Sequence, residues 1–234
     1  MADIWQRTRI LLGDRAMEKL QHSHILVVGL GGVGSYAAEA ITRLGVGHIT
    51  IVDSDRIETS NLNRQLPAMH STLGEFKTRA MAARMLDINP ALDLTQFTLR
   101  YHPETSQQVF AHRSYDYVLD AIDSLPDKLH LIKTCIKQGI PLISCMGAAN
   151  RIDPRLLAVA DISQTSVCPM ARRVRRELRK DGIVKGLEVV YSREQPRRPA
   201  AETNPAALGS MVTVTASAGL LMAQQAINRL LDLA

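Results

Sequence analysis

A chain of 234 residues is long enough to bury its own core, and 46% hydrophobic with 22% charged residues is the balance of a soluble globular protein. Aromatic residues reach only 4%, too few for a stacking platform that reads single-stranded nucleic acid. The net charge of +5 is uneven: residues 151–200 hold 12 basic and 6 acidic side chains, so a polyanionic partner is expected at that part of the chain.

The opening residues, Met1 to Arg9, contain no apolar targeting segment. Residues 25–29 read as a fully buried strand ending on glycine, and residues 33–44 as the helix that follows, stopped by Gly45. A second strand covers 48–52 and closes on Asp53. Then come a helix over 75–88 ending at Asn89-Pro90, a weaker strand near 93–98 and a helix over 104–112. Tyr117 begins another buried strand, followed by a helix over 125–138 and a strand over 141–144. This alternation with short connections predicts an α/β fold, a doubly wound, mostly parallel Rossmann-like sheet. After Gly147 the texture changes. A strand is expected over 155–161, a strongly basic helix over 168–181, a short strand over 187–191 and a mobile loop over 193–209. The run Met211 to Thr215 reads as a strand before a final helix, whose Gln224, Gln225, Asn228 and Arg229 argue against a membrane span. The expected organisation is a nucleotide-binding domain over 1–150 and an extension over 151–234 packed on it.

Gly29-Leu30-Gly31-Gly32-Val33-Gly34 sits between a strand and a helix, where glycines let backbone N–H groups approach a phosphate at a helix N-terminus. Asp53, at the end of the second strand, is suited to ribose hydroxyls. The glycines alone do not choose between a dinucleotide and ATP. Asp53-Ser54-Asp55, Asn61-Leu62-Asn63-Arg64-Gln65, Lys77 and Asp120-Ala121-Ile122-Asp123 favour ATP. A site that adenylates a carboxylate needs cations for the charge building on the triphosphate, and a carboxylate for a metal ion.

These motifs resemble the E1-like adenylating superfamily over about residues 5–147. Ser144 to Pro154, Asp161 to Ser166 and the Arg-rich stretch after Pro169 are similar to one branch, the tRNA threonylcarbamoyladenosine dehydratase family. The resemblance implies an E1-like ATP-binding adenylation domain over 1–150. It implies ATP-dependent cyclisation of the threonylcarbamoyl side chain on tRNA adenosine 37 to a hydantoin, through an acyl-adenylate. Gly29, Gly31, Gly32 and Gly34 would shape the phosphate loop, with Asp53, Asp55, Asn61 and Gln65 contacting the nucleotide. Arg64 and Lys77 would stabilise the transition state, and Asp123 would place Mg2+. Arg7 would reach the ATP site of a second copy in a homodimer. A sulfur-transfer protein is a further partner the resemblance implies, and the cytoplasm the expected location.

Two other readings stay open on the residues: adenylation of the C-terminal glycine of a sulfur-carrier or ubiquitin-like protein, and a nicotinamide-dependent oxidoreductase. Three cysteines without CxxC spacing exclude a four-thiolate zinc site and point to a reducing compartment. Cys135 and Cys145 read as core residues. Cys168, beside Pro169 at a helix head, is expected to be exposed, the candidate for any cysteine relay. Arg172, Arg173, Arg175, Arg176, Arg179 and Lys180 crowd one helix against only Glu177 and Asp181. Mutual repulsion there would be relieved by phosphates, so tRNA is expected to bind them.

Overall fold

The computed structural model describes residues 3–197 and 208–233. The N-terminal residues form two helices that the sequence pattern did not reveal, α1 (Gln6–Leu12) and α2 (Asp14–His22). Few of their residues are buried: α1 buries nothing and α2 buries only Met17 and Leu20. The alternating body follows as β1 (His24–Val28), α3 (Gly34–Arg43), β2 (His48–Val52), α4 (Lys77–Ile88), β3 (Asp93–Phe97), α5 (Pro103–Phe110), β4 (Tyr117–Asp120), α6 (Leu125–Gln138) and β5 (Leu142–Cys145). Then come β6 (Leu157–Asp161), α7 (Pro169–Arg179), β7 (Glu188–Ser192) and α8 (Val212–Leu230).

The seven strands make one sheet in the order β3-β2-β1-β4-β5-β7-β6. All pairings are parallel except β6 with β7. β1 is buried at every position because helices cover both faces of the sheet. Its side chains alternate between two cores: Ile25 and Val27 pack on the α3 and α8 side, Leu26 and Val28 on the α6 and α7 side. The strand order reverses between β1 and β4, and such a switch point opens a crevice at the carboxyl ends of the strands.

One expectation changes here. The run Met211 to Thr215 is not a strand but the N-cap and first turn of α8. Its alternating Val and Thr suggest strand locally, yet Val214, Ala218, Met222, Ala226 and Leu230 fall four apart and bury one helical face. Small residues on that face let α8 lie close to α3: a Cβ on Gly219 would stand 2.3 Å from the Val33 carbonyl oxygen. Of the expected loop over 193–209, residues 198–207 lie outside the described residues. No helix among the described residues is long and apolar enough to cross a membrane.

Candidate functional site

A cleft of about 740 Å³ opens at the switch point. It is lined by the residues that leave the carboxyl ends of β1, β2, β4 and β5, together with the segments around Arg64 and Ser210. Gly29, Gly31, Gly32, Asp53, Asp55, Asn61, Arg64, Gln65, Lys77 and Asp123 all face this volume. Gly34 does not, because its work is packing: a Cβ there would lie 1.8 Å from the Gly29 carbonyl oxygen. Gly29 has φ +92, a conformation that costs glycine least, and a Cβ there would stand 2.8 Å from the Ala121 carbonyl oxygen. The N-terminus of α3 thus opens on the cleft, and Thr215 in the first turn of α8 comes against Gly32 from the other side. Two helix N-termini converge where an anion would sit.

Asp53 binds the phosphate loop to the end of β2. Its Oδ2 accepts the Leu30 N–H at 2.6 Å and its Oδ1 the Asp55 N–H at 2.8 Å. Burial raises its pKa above the ordinary carboxylate value, against the pull of Lys77. Lys77 is buried at the head of α4, and its ammonium donates to Asp55 Oδ2 at 2.8 Å. A buried lysine with one half-solvated partner is a cation aimed at the cleft. Arg64 Nη1 donates to the Ser60 carbonyl at 2.8 Å and to Asn63 Oδ1 at 2.9 Å, which fixes the guanidinium along the cleft wall. Gln65 is buried, with its Oε1 lacking a partner among the described residues.

The two aspartates after β4 have different surroundings. Asp120 is fully buried. It accepts the Lys128 ammonium at 2.7 Å and the Ser144 hydroxyl at 2.6 Å on Oδ2, and the Ile122 N–H on Oδ1. This network holds the turn that carries Asp123. Asp123 is exposed in the cleft and bonds to no other described residue. Among the described residues there is no cluster of three or more His, Cys, Asp or Glu for a metal. A single open carboxylate beside a phosphate loop nevertheless fits Mg2+, which takes one or two carboxylates and completes its shell with phosphates and water.

Sequence patterns missed other lining residues. Arg100, just past β3, pairs with Asp127 at 2.7 Å on the cleft rim. Gly147, Ala148, Ala149, Met170, Ser210 and Thr215 line the same cleft. Their one signal is position, after a strand's carboxyl end or at a helix head. Cys168 is not exposed: it is 2% accessible and its sulfur packs towards Gly147, because the first two turns of α7 seat Ala171 and Val174 in the core. Cys135 and Cys145 are buried as expected, with thiols pushed up to about 12 by burial, which keeps them protonated. Arg7 lies exposed on α1, outside the cleft of its own chain. On α7, Arg172, Arg173, Arg176, Arg179 and Lys180 are exposed. Arg175 turns inward instead, donating to the carbonyls of Ile162 and Thr165 at 3.2 and 3.0 Å.

Residues 5–234 match the ThiF family. The tRNA threonylcarbamoyladenosine dehydratase of Bacillus subtilis (strain 168) is 47% identical over 192 residues, 82% of this chain and 75% of its own. That of Escherichia coli (strain K12) is 33% identical over 258 aligned residues, 99% of this chain and 96% of its own. The crystal structure of the E. coli enzyme, TcdA, in complex with ATP superposes with a TM-score of 0.91 at 35% identity, covering 99% of this chain and 96% of that one. The chain belongs to the ThiF family, in the branch of the tRNA threonylcarbamoyladenosine dehydratases.

Proposed function

We propose that this protein is an ATP-dependent tRNA-modifying enzyme that cyclises N6-threonylcarbamoyladenosine to its hydantoin form through an acyl-adenylate. One observation carries the reading. In a chain that matches a named dehydratase from end to end, the phosphate loop, Asp53, Arg64, Lys77 and Asp123 surround one cleft. ATP would lie with its ribose at Asp53, whose oxygens keep lone pairs free beyond the two backbone bonds, and its phosphates at the α3 N-terminus. Asp55, Asn61 and Gln65 would flank those phosphates.

The free carboxylate of the threonylcarbamoyl group attacks the α-phosphorus, and pyrophosphate leaves. Arg64 and Lys77 stabilise the negative charge that builds in that transition state. Asp123 would hold Mg2+, which when bound neutralises phosphate charge. A carbamoyl nitrogen of the same side chain then attacks the activated carbonyl carbon, loses its proton and expels AMP. The nucleophile is tethered, so proximity supplies much of the second step and a protein thiol is not needed. That suits three cysteines that are all buried. The exposed cations of α7, Arg172, Arg173, Arg176, Arg179 and Lys180, would hold the tRNA backbone. We further infer a homodimer in which Arg7 acts on the partner's ATP. We infer the cytoplasm as its location, where ATP and tRNA are both available.

The test is direct. Purified protein is incubated with ATP, Mg2+ and tRNA bearing threonylcarbamoyladenosine, and the nucleosides are weighed by mass spectrometry. Loss of the mass of one water is expected. An unchanged mass, with pyrophosphate exchange stimulated instead by a carrier protein with a glycine tail, overturns the reading. Lys77→Ala is expected to lower the rate by about 10²–10³.

A further inference from the structure

Asn150 follows β5 with φ 58, a left-handed conformation that asparagine tolerates better than most side chains. All its polar groups but the amide NH2 are committed to two distant pieces of chain. Its N–H donates to the Gly209 carbonyl at 2.8 Å, and its Oδ1 accepts the Gly209 N–H at 2.7 Å. Its own carbonyl accepts the Arg197 N–H at 2.9 Å. The clamp does not stop at Gly209. The carbonyl of the next residue, Ser210, accepts Asn63 Nδ2 at 3.3 Å, and Asn63 Oδ1 in turn accepts Arg64 Nη1. A continuous hydrogen-bonded path therefore runs from the β5 exit, across Gly209 and Ser210, to the arginine on the phosphate side. Ala148 and Ala149 on one side of the clamp, and Leu208 and Ser210 on the other, line the cleft that also holds Asp53 and the phosphate loop.

We propose that Asn150 is a positioning residue for the second half of the reaction. It fixes residues 208–210 as the wall that confines the acyl end of the adenylate, so that the carbonyl carbon meets the tethered nitrogen and not water. The inference rests on the proposed dehydration. The two competing outcomes balance differently. Attack by the carbamoyl nitrogen releases AMP and a proton and gives the ring. Attack by water also releases AMP, but returns the open carboxylate and consumes ATP without product. A wall that holds the acyl chain in a near-attack geometry and excludes water favours the first.

The experiment counts AMP released per cyclic nucleoside formed, at saturating ATP, for the wild type, Asn150→Gly and Asn150→Asp. Glycine keeps the left-handed backbone and both backbone hydrogen bonds and removes only the Oδ1 acceptor. Aspartate restores that acceptor. The ratio is expected near one in the wild type, to rise about fivefold in Asn150→Gly, the effect of one lost hydrogen bond, and to return to within about twofold of wild type in Asn150→Asp. ATP affinity is expected to change less than the ratio does in the glycine variant, since Asn150 itself does not line the cleft. An unchanged ratio in Asn150→Gly, or an aspartate variant as uncoupled as the glycine one, overturns the proposal. A wild type that forms no cyclic nucleoside overturns the underlying reading instead. Hydrogen exchange at the Gly209 amide then still decides the clamp: faster in Asn150→Gly but not in Asn150→Asp supports it, and equal exchange in all three overturns it.

Discussion

A methyl group at position 34 would have to occupy the place of the Gly29 carbonyl oxygen, 1.8 Å away, whereas one at position 31 would meet nothing nearer than Gln65 Nε2 at 3.8 Å. Glycines of one loop therefore separate into those the fold needs and those a ligand needs. Gly34→Ala is expected to cost about 3 kcal/mol or more of stability, because the clash is with backbone that cannot swing aside. Gly31→Ala is expected to leave stability within about 0.5 kcal/mol and to weaken ATP binding at least about tenfold, as the methyl group keeps phosphate from the amides. Urea unfolding with and without ATP checks both, and equal loss of stability in the two variants contradicts the division. At this scale the sequence spacing identified ten of the thirty residues that line the cleft, among them the charged side chains Asp53, Asp55, Arg64, Lys77 and Asp123. It could not show which of their atoms are already engaged. Asp120 and Asp123 are the same residue type three apart, and only the buried Lys128 and Ser144 beside the first make it structural. Arg100 carried no motif, and only its place after β3 brings it to the rim.

Helices α7 and α8 show what periodicity can and cannot decide. In α7 the buried residues are Ala171, Val174 and Leu178, a helical stripe, and Arg175 sits four residues after Ala171 on the edge of that stripe. Counting basic residues puts six on one helix; counting by period sets Arg175 apart, and it caps the carbonyls of Ile162 and Thr165. Replacing Arg172, Arg173, Arg176 and Arg179 with Gln is expected to flatten the plot of log affinity for tRNA against log salt by about 0.7–0.9 for each phosphate no longer neutralised. Arg175→Gln is expected to leave that slope alone and to cost about 1–3 kcal/mol of fold stability, since buried carbonyls lose a charged donor. Fluorescence anisotropy over a salt series, with thermal unfolding alongside, separates the two. A slope that changes with Arg175 alone contradicts the assignment. In α8 the local pattern misleads, because alternating Val and Thr suit a strand, and only the spacing over five turns reveals the helix face packed on α3. Tertiary packing overrides propensity there.

At the scale of the molecule, α1 carries a surface that the other described residues leave uncovered. α1 buries none of its side chains, and Ile10 and Leu11 on it are 80% and 82% exposed. On the same helix the Arg9 guanidinium is held by Asp3 at 2.8 Å and Asp14 at 2.9 Å, while Arg7 bonds to no other described residue. In the proposed homodimer this apolar helix face and its open arginine would meet the second copy at its triphosphate. If Arg7 reaches the partner's cleft, the site is divided between chains, and Arg7→Ala and Lys77→Ala damage different halves of it. Each variant alone should be nearly inactive. Mixed in equal amounts and allowed to exchange, half the dimers become mixed. In each mixed dimer one cleft combines an intact Lys77 with an intact Arg7 from the other chain. About a quarter of the wild-type rate should return. If Arg7 acts within its own chain, no cleft in any dimer is whole and nothing returns. Leu11→Glu supplies the control: by placing a charge in the apolar face it should abolish both the dimer, read by sedimentation, and the recovered activity.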